Sequence, residues 1–397
     1  MHPLKKFGSC LDMEGARQEV LKDSKLPPLS VYIHWPWCVR KCPYCDFNSH
    51  EQQGHDEQRY IDALEQDIHS QKDWFSKRTI GSVFFGGGTP SLMSVRAVER
   101  ILTRIQSSME LEPDCEITLE ANPGAIDCAR LQGYRMAGVN RISIGVQSFS
   151  DKALQILGRV HGRIDAVHAY ESAVKAGFER INLDLMYGLP EQKLFDALAD
   201  LRLALGLAPE HISWYQLTIE PNTVFYRNRP VLPDEETVEH IDEEGRALLE
   251  DSGYRQYEVS AFSRARPAHH NLNYWQFGDY LAFGAGAHGK LSLDGNIFRY
   301  QHTRMPGDYM LAIEQGRIPQ LQAVEPQDRM HEFFMNVLRL KEGVPLEFYQ
   351  RSFMPLERLK DLVKSVPEGL LLSPDERWCC SPRGYSLLNQ VLMKLFS

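Results

Sequence analysis

The chain lacks any apolar run near the roughly 18 residues a membrane-spanning helix requires, and its mean hydropathy of −0.37 sets it apart from integral membrane proteins. It also lacks an excess of positive charge. The 44 Lys and Arg stand against 53 Asp and Glu, a formal net charge of −9, which opposes the broad phosphate-binding surface of a non-specific nucleic-acid binder. No nucleic acid is expected as a partner. Export is not expected either: residues 1–28 contain Lys5 and Lys6, but Asp12, Glu14 and Arg17 interrupt what would have to be a signal's apolar core. A cytoplasmic protein is the expectation. Low-complexity tracts and repeats are missing too, apart from an alternation of strand and helix patterns. Cysteine is scarce for a disulfide framework, with eight in 397 residues, yet Cys38, Cys42 and Cys45 lie close together. That points to a metal site in a reducing compartment. Cys10, Cys115, Cys128, Cys379 and Cys380 share no ligand-like spacing.

What is present suits one large core and a smaller one, since single cores stop growing at roughly 250–300 residues. Short β-branched and aromatic runs predict strands at Val31 to Ile33, Val83 to Phe85, Glu116 to Glu120, Arg141 to Val146, Ile181 to Tyr187 and His211 to Ile219. Between them, three- and four-residue apolar spacing predicts helices over 60–69, 95–105, 153–157, 166–176 and 194–207. Six successive βα units predict an α/β fold, a partial (β/α)6 TIM-like barrel occupying 29–222. Residues 223–324 read as an extension packed on it, with an acidic helix over 233–252 and a strand-like 254–262. From 325 to 397 the helices, the Gly369 to Leu372 run, a turn at Pro374 and Asp375 and the closing helix predict a winged-helix-like module. Asp375 and Glu376 in its wing favour packing over DNA reading.

The C-x3-C-x2-C spacing of Cys38, Cys42 and Cys45 follows the first strand directly, at the end where barrel active sites sit. Three thiolates on a [4Fe-4S] cubane leave one iron open to an exogenous chelator. Structural zinc is the alternative, with His34 or His50 as fourth ligand. Gly86-Gly87-Gly88-Thr89-Pro90 ends the second strand, where missing β-carbons permit close backbone approach. Glu120 ends the third. Gln147, Arg159 and Asp184 fall at or beyond the ends of the fourth and fifth.

The segments YIHWPWC (32–38), CDFN (45–48), GGGTPSL (86–92), EANPG (120–124), NRISIGVQSF (140–149), NLDLMYGLP (182–190) and SWYQLTIEPNT (213–223) resemble one group of the radical S-adenosylmethionine (SAM) superfamily. It is the oxygen-independent coproporphyrinogen III dehydrogenase group, including its heme chaperones. The likeness covers nearly everything after Leu26. It implies that Tyr32, Tyr44, Gly87, Gly88, Thr89 and Glu120 line cluster-bound SAM, with Gln147, Arg159 and Asp184 around its nucleotide or a second SAM. The dehydrogenases themselves carry a fourth cysteine two places after the third, where this chain has Phe47, and a longer amino-terminal arm.

His269-His270-Asn271-Leu272-Asn273-Tyr274-Trp275 contains the HNxxYW pattern of the heme chaperones in that group. Histidine and tyrosine can ligate heme iron and aromatic faces can pack on the macrocycle, so His270, Asn271, Tyr274 and Trp275 are the heme candidates. His288 is a second histidine candidate, and Arg264 or Arg266 are candidates to pair with propionates. The resemblance implies heme binding and delivery to an acceptor protein, with the cluster and SAM retained and an electron-donor protein as a further partner. The alternative is a radical SAM oxidoreductase acting on a porphyrinogen.

Overall fold

Six strands run parallel in sequence order through the centre of one sheet: β1 (Leu29–Trp35), β2 (Thr79–Gly87), β3 (Glu110–Ala121), β4 (Arg141–Gln147), β5 (Arg180–Tyr187) and β6 (His211–Gln216). The computed structural model describes residues 26–51, 54, 56–75, 78–372 and 376–396. All of β1 except Tyr32 is buried, as a strand covered on both faces requires. The crossovers are α1 (Glu57–Ser70), α2 (Val95–Ser108), α3 (Cys128–Ala137), α4 (Asp151–Ile156), α5 (Arg163–Lys175) and α6 (Leu194–Leu207). Side-chain caps start several of them: Asp56 accepts the backbone N–H of Arg59 at 3.0 Å, and Ser94 that of Ala97 at 3.1 Å.

Helix α3 was not expected from the sequence. Its apolar spacing is weak, and Gly133 sits where a β-carbon would come 2.5 Å from Val95. The helix stops at Gly138, whose φ of +115° is unfavourable for other residues.

After residue 222 the chain extends the sheet at both edges. Following α7 (Glu235–Asp251), the expected single strand over 254–262 is two, β7 (Arg255–Glu258) and β8 (Ala261–Ser263), and β8 pairs antiparallel with β6. The motif helix α8 (His269–Trp275) then leads to β9 (Asp279–Phe283), which lies parallel to β1 on its other side. β10 (His288–Leu293), β11 (Asn296–Gln301) and β12 (Gln322–Ala323) complete that edge, and α9 (Pro306–Glu314) packs on α1. Beneath it, the fully buried Asp279 accepts from Lys290 at 3.1 Å and from Arg78 at 2.8 Å. The charges are paired, which is the condition for keeping them inside.

The carboxyl-terminal module builds a second core from α10 (Pro326–Val337), α11 (Leu356–Val363), α12 (Leu388–Phe396) and a two-residue strand pair at Val344–Pro345 and Arg377–Trp378. Phe333, Phe334 and Trp378 interlock edge to face at its centre, and Phe277 joins them from the sheet side with its ring 5.6 Å from Phe333. The expected turn at Pro374 and Asp375 lies outside the described residues, as do Cys10 and most of the 1–28 extension.

Candidate functional site

The cysteine loop is tied down from four directions. His34 at the end of β1 bonds the Asn48 carbonyl at 2.9 Å through Nε2 and Tyr32 Oη at 3.0 Å through Nδ1. Lys41 donates to the carbonyls of Phe47 and Ser49 at 3.0 and 3.1 Å. Asn48 donates to the carbonyls of Ala285 and Arg304, at 2.9 and 2.8 Å. The glycine run supplies the fourth hold: Gly88 N–H donates to Trp35 O at 2.6 Å and Thr89 N–H to Trp37 O at 2.8 Å. A β-carbon on Gly88 would stand 2.6 Å from Trp37 O, and one on Gly87 2.6 Å from the His34 ring. The glycines therefore serve first to let β2 clasp the loop.

The three cysteines line one cavity of about 560 Å³ together with Tyr44, Gly87, Gly88 and Thr89, and with Glu120, Gln147, Arg159 and Asp184 opposite. Cys38 is buried and the other two partly so; burial raises the thiol pKa of Cys38 and Cys45, which an electropositive partner would reverse. Arg159 donates to Cys42 Sγ at 3.6 Å and to Gly145 O at 2.7 Å. Gln147 is held at φ +65° and accepts from Tyr215 Oη at 2.9 Å. Two carboxyl groups face this space. Burial and then the charge of Asp184 push Glu120 up to about 8, opposed by a 3.3 Å bond from Gly87 N–H. Burial likewise raises Asp184, although Asn182 and Ser143 donate to it at 2.8 and 3.0 Å. Glu120, with one hydrogen bond, is the underpaired carboxyl of the two, and it suits a ligand that brings a positive charge.

A second cavity, of about 750 Å³, adjoins the first and shares Phe47, Gly87, Glu120, Asn271 and Trp275 with it. Its inner wall is aromatic. Phe84 stacks on His270 with centroids 4.0 Å apart, Tyr274 meets His270 edge-on at 4.6 Å, and Tyr280 meets Tyr274 at 4.4 Å. Tyr32 lies on the same wall, and its mouth carries the exposed residues Phe47, His288 and Arg304. Arg264 and Arg266 lie elsewhere: Arg264 lies over the Tyr254 ring, and Arg266 lines a depression beside Glu116 and Arg180.

The motif helix α8 is fixed by Glu116. Its carboxylate accepts the backbone N–H groups of His269 and His270, both at 3.1 Å, and Arg180 at 2.6 Å. Burial would raise this carboxyl, but Arg141, Arg180 and the two N–H groups outweigh it and hold it below the usual range. The motif asparagine joins the cavities chemically. Asn271 donates to Tyr257 Oη at 3.0 Å, Tyr257 meets His211 Nε2 at 2.8 Å, and His211 Nδ1 meets Asn182 at 2.6 Å, next to Asp184.

The sequence-predicted residues thus fall on two adjoining cavities. The zinc alternative loses His34, because both of its ring nitrogens are engaged. Among the described residues, no three His, Cys, Asp or Glu side chains converge as ligands of a single ion would. What sequence reasoning missed comes from later in the chain. Arg339 of the carboxyl-terminal module lines the first cavity, lies 4.3 Å over the Trp275 ring and bonds Glu258 at 3.3 Å.

The profile of the Radical SAM superfamily matches residues 32–204, and that of the HemN C-terminal domain matches 324–387. The chain is 46% identical over 380 residues to the heme chaperone HemW of Haemophilus influenzae, covering 93% of this chain and 98% of that one. It is 47% identical over 378 residues to the heme chaperone HemW of Escherichia coli K12, with the same coverages. Over 390 residues it is 35% identical to the bovine radical S-adenosyl methionine domain-containing protein 1, mitochondrial, covering 93% of this chain and 87% of that one. Among solved structures, the coproporphyrinogen III oxidase HemN of Escherichia coli superposes with a TM-score of 0.78 at 23% identity, covering 97% of this chain and 93% of that one. That last likeness is one of fold.

Proposed function

The chain belongs to the heme chaperone HemW family within the radical SAM superfamily, and on that premise we propose that it binds heme and passes it to an acceptor protein. The observation that carries the reading is the aromatic cavity walled by His270, Tyr274 and Trp275 and sharing a partition with the cysteine cavity. In this reading Cys38, Cys42 and Cys45 hold a [4Fe-4S] cluster. Their fit is supported by three thiols lining one cavity beside the glycine run, with open space before them for a cluster and its ligand. When bound, the cluster and SAM supply one-electron chemistry. The chain's own part is to bind and orient. Glu120 would receive the ammonium of SAM, Gly87, Gly88 and Thr89 would offer backbone to its amino-acid end, and Tyr44 would flank it, whereas Tyr32, expected beside SAM, lines the second cavity instead. Asp184, Gln147 and Arg159 address the nucleoside. Asn271 connects that end to the heme motif through Tyr257, His211 and Asn182.

A barrel over 29–222, an extension to 324 and a terminal module after it belong to the same reading, as do a cytoplasmic location and an electron-donor protein. The Radical SAM profile, at 32–204, falls within the first of these spans, and the HemN C-terminal profile, at 324–387, covers most of the last. No helix among the described residues is long and apolar enough to cross a membrane.

The test is anaerobic reconstitution with iron and sulfide, addition of hemin, then mixing with the apo form of a heme protein. The expected result is a cluster, stoichiometric heme and transfer to the apoprotein. A cluster without heme binding, together with 5′-deoxyadenosine accumulating in the presence of coproporphyrinogen, would replace this reading with the oxidoreductase. Phe47 at the position of the dehydrogenases' fourth cysteine argues against that outcome.

A further inference from the structure

Three histidines line the aromatic cavity, and their surroundings differ. A heme ligand must present a nitrogen lone pair to open space deep enough for the macrocycle. His34 presents none, because Nδ1 faces Tyr32 Oη and Nε2 the Asn48 carbonyl. His270 is 7% exposed, one ring face lies on Phe84 at an interplanar angle of 15°, Tyr274 meets it at 88°, and its Nδ1 is buried without a partner. Phe84 and Tyr274 pin the ring in the wall, so of its two nitrogens only Nε2 is left to the cavity. His288 opens β10 at the cavity mouth, is exposed, and makes no side-chain hydrogen bond among the described residues.

The mouth around His288 matches heme in the other respects too. Phe47 is 60% exposed on the same rim, a large apolar face with nothing covering it. Arg304 stands beside them, exposed, with its backbone carbonyl fixed by Asn48. An imidazole, an apolar face and a guanidinium at one opening address the iron, the ring and a carboxylate of a single ligand. We propose that His288 is the axial ligand of the heme iron, that Phe47 packs against the macrocycle and that Arg304 pairs with a propionate. His270 is then a wall residue holding Phe84 and Tyr274 in place. The assignment rests on the heme-chaperone reading and adds the ligand to it.

The experiment uses the full, cluster-loaded chain with ferric heme, and follows electron paramagnetic resonance and Soret-excited resonance Raman spectra of the native chain, His288→Ala, His270→Ala and Arg304→Ala. In His288→Ala the histidine–iron signature is expected to vanish, with added imidazole restoring it. His270→Ala should keep the native signature while loosening heme several-fold, and Arg304→Ala should keep it while speeding heme dissociation. Because His288 is exposed, its replacement leaves the core intact, which cluster content and circular dichroism would verify. A native spectrum in His288→Ala would overturn the ligand assignment while leaving heme binding standing, as would loss of the histidine signature in His270→Ala alone. Failure of the native chain to bind heme would refute the underlying reading and this inference together.

Discussion

Glu120 offers a prediction with a definite sign. Its carboxyl titrates near 8 because burial, and then Asp184, disfavour its charge, and only the Gly87 N–H opposes them. A ligand that brings an ammonium to this carboxyl needs it ionised, so binding must release a proton wherever the free carboxyl holds one. For a group titrating at about 8, the ionised fraction falls about twentyfold between pH 7.5 and pH 6, while the α-amino group of SAM stays largely protonated. Water in the open cavity reaches this partly exposed carboxyl and screens part of the effect, so we take about fivefold as the least change. Calorimetric titration of the cluster-loaded chain with SAM, in two buffers of different ionisation enthalpy, measures both the affinity and the proton released. Glu120→Gln should bind more weakly at pH 7.5 and lose the pH slope. Linkage gives a companion effect. A carboxyl raised on folding costs stability as pH climbs from about 4.5 to about 8, so Glu120→Gln should make the ligand-free chain more stable than the native one at pH 8.5. Equal SAM affinity at pH 6 and 7.5, or the same slope in the variant, would refute the reasoning.

Further outcomes follow from the same geometry. Cys38→Ala should abolish the brown cluster spectrum while leaving far-ultraviolet circular dichroism unchanged. Gly88→Ala puts a β-carbon 2.6 Å from Trp37 O, so iron retained per chain should drop sharply and the loop should become sensitive to protease. Glu116→Ala leaves Arg180 with Glu210 as its remaining carboxylate and frees two backbone N–H groups, costing about 2–3 kcal/mol in urea unfolding and weakening heme binding through the freed motif helix. Asp279→Ala leaves Lys290 and Arg78 uncompensated at the same order of cost. Lys290 and Arg78 outweigh burial to hold the Asp279 carboxyl low, so its contribution in the native chain persists above pH 4 and is lost as pH falls through its folded value. A urea midpoint of Asp279→Ala equal to the native one at pH 7 would count against that account.

The parallel strands were legible because each is a buried β-branched or aromatic run, and their order followed from the right-handed crossover. Helix α6 was read over the full span it occupies, Leu194–Leu207. Helix α3 escaped notice because Gly133 and a thin apolar face dilute its period, and α8 because seven residues are too few to show one. The cysteine and glycine motifs announced the first cavity, since their chemistry is local in sequence. The second cavity was only partly visible. Its motif was read, but Phe84, Tyr280 and Arg304 are ordinary residues until β9 pairs with β1 and brings them round. Arg339 carried no signal at all, since its place over Trp275 depends on how the terminal module docks.

The pairing of β9 with β1 also orders events in time. The cluster and SAM residues of the first cavity lie between Cys38 and Asp184, although the cysteine loop also takes the Ala285 and Arg304 carbonyls as anchors for Asn48. The heme cavity, by contrast, needs Tyr32 and Phe84 to meet residues 270–304, so it does not exist until three-quarters of the chain has left the ribosome. The cysteines and glycines of the first cavity thus emerge well before the aromatic wall is complete, and the late residues that finish that wall also supply the last anchors of the cysteine loop.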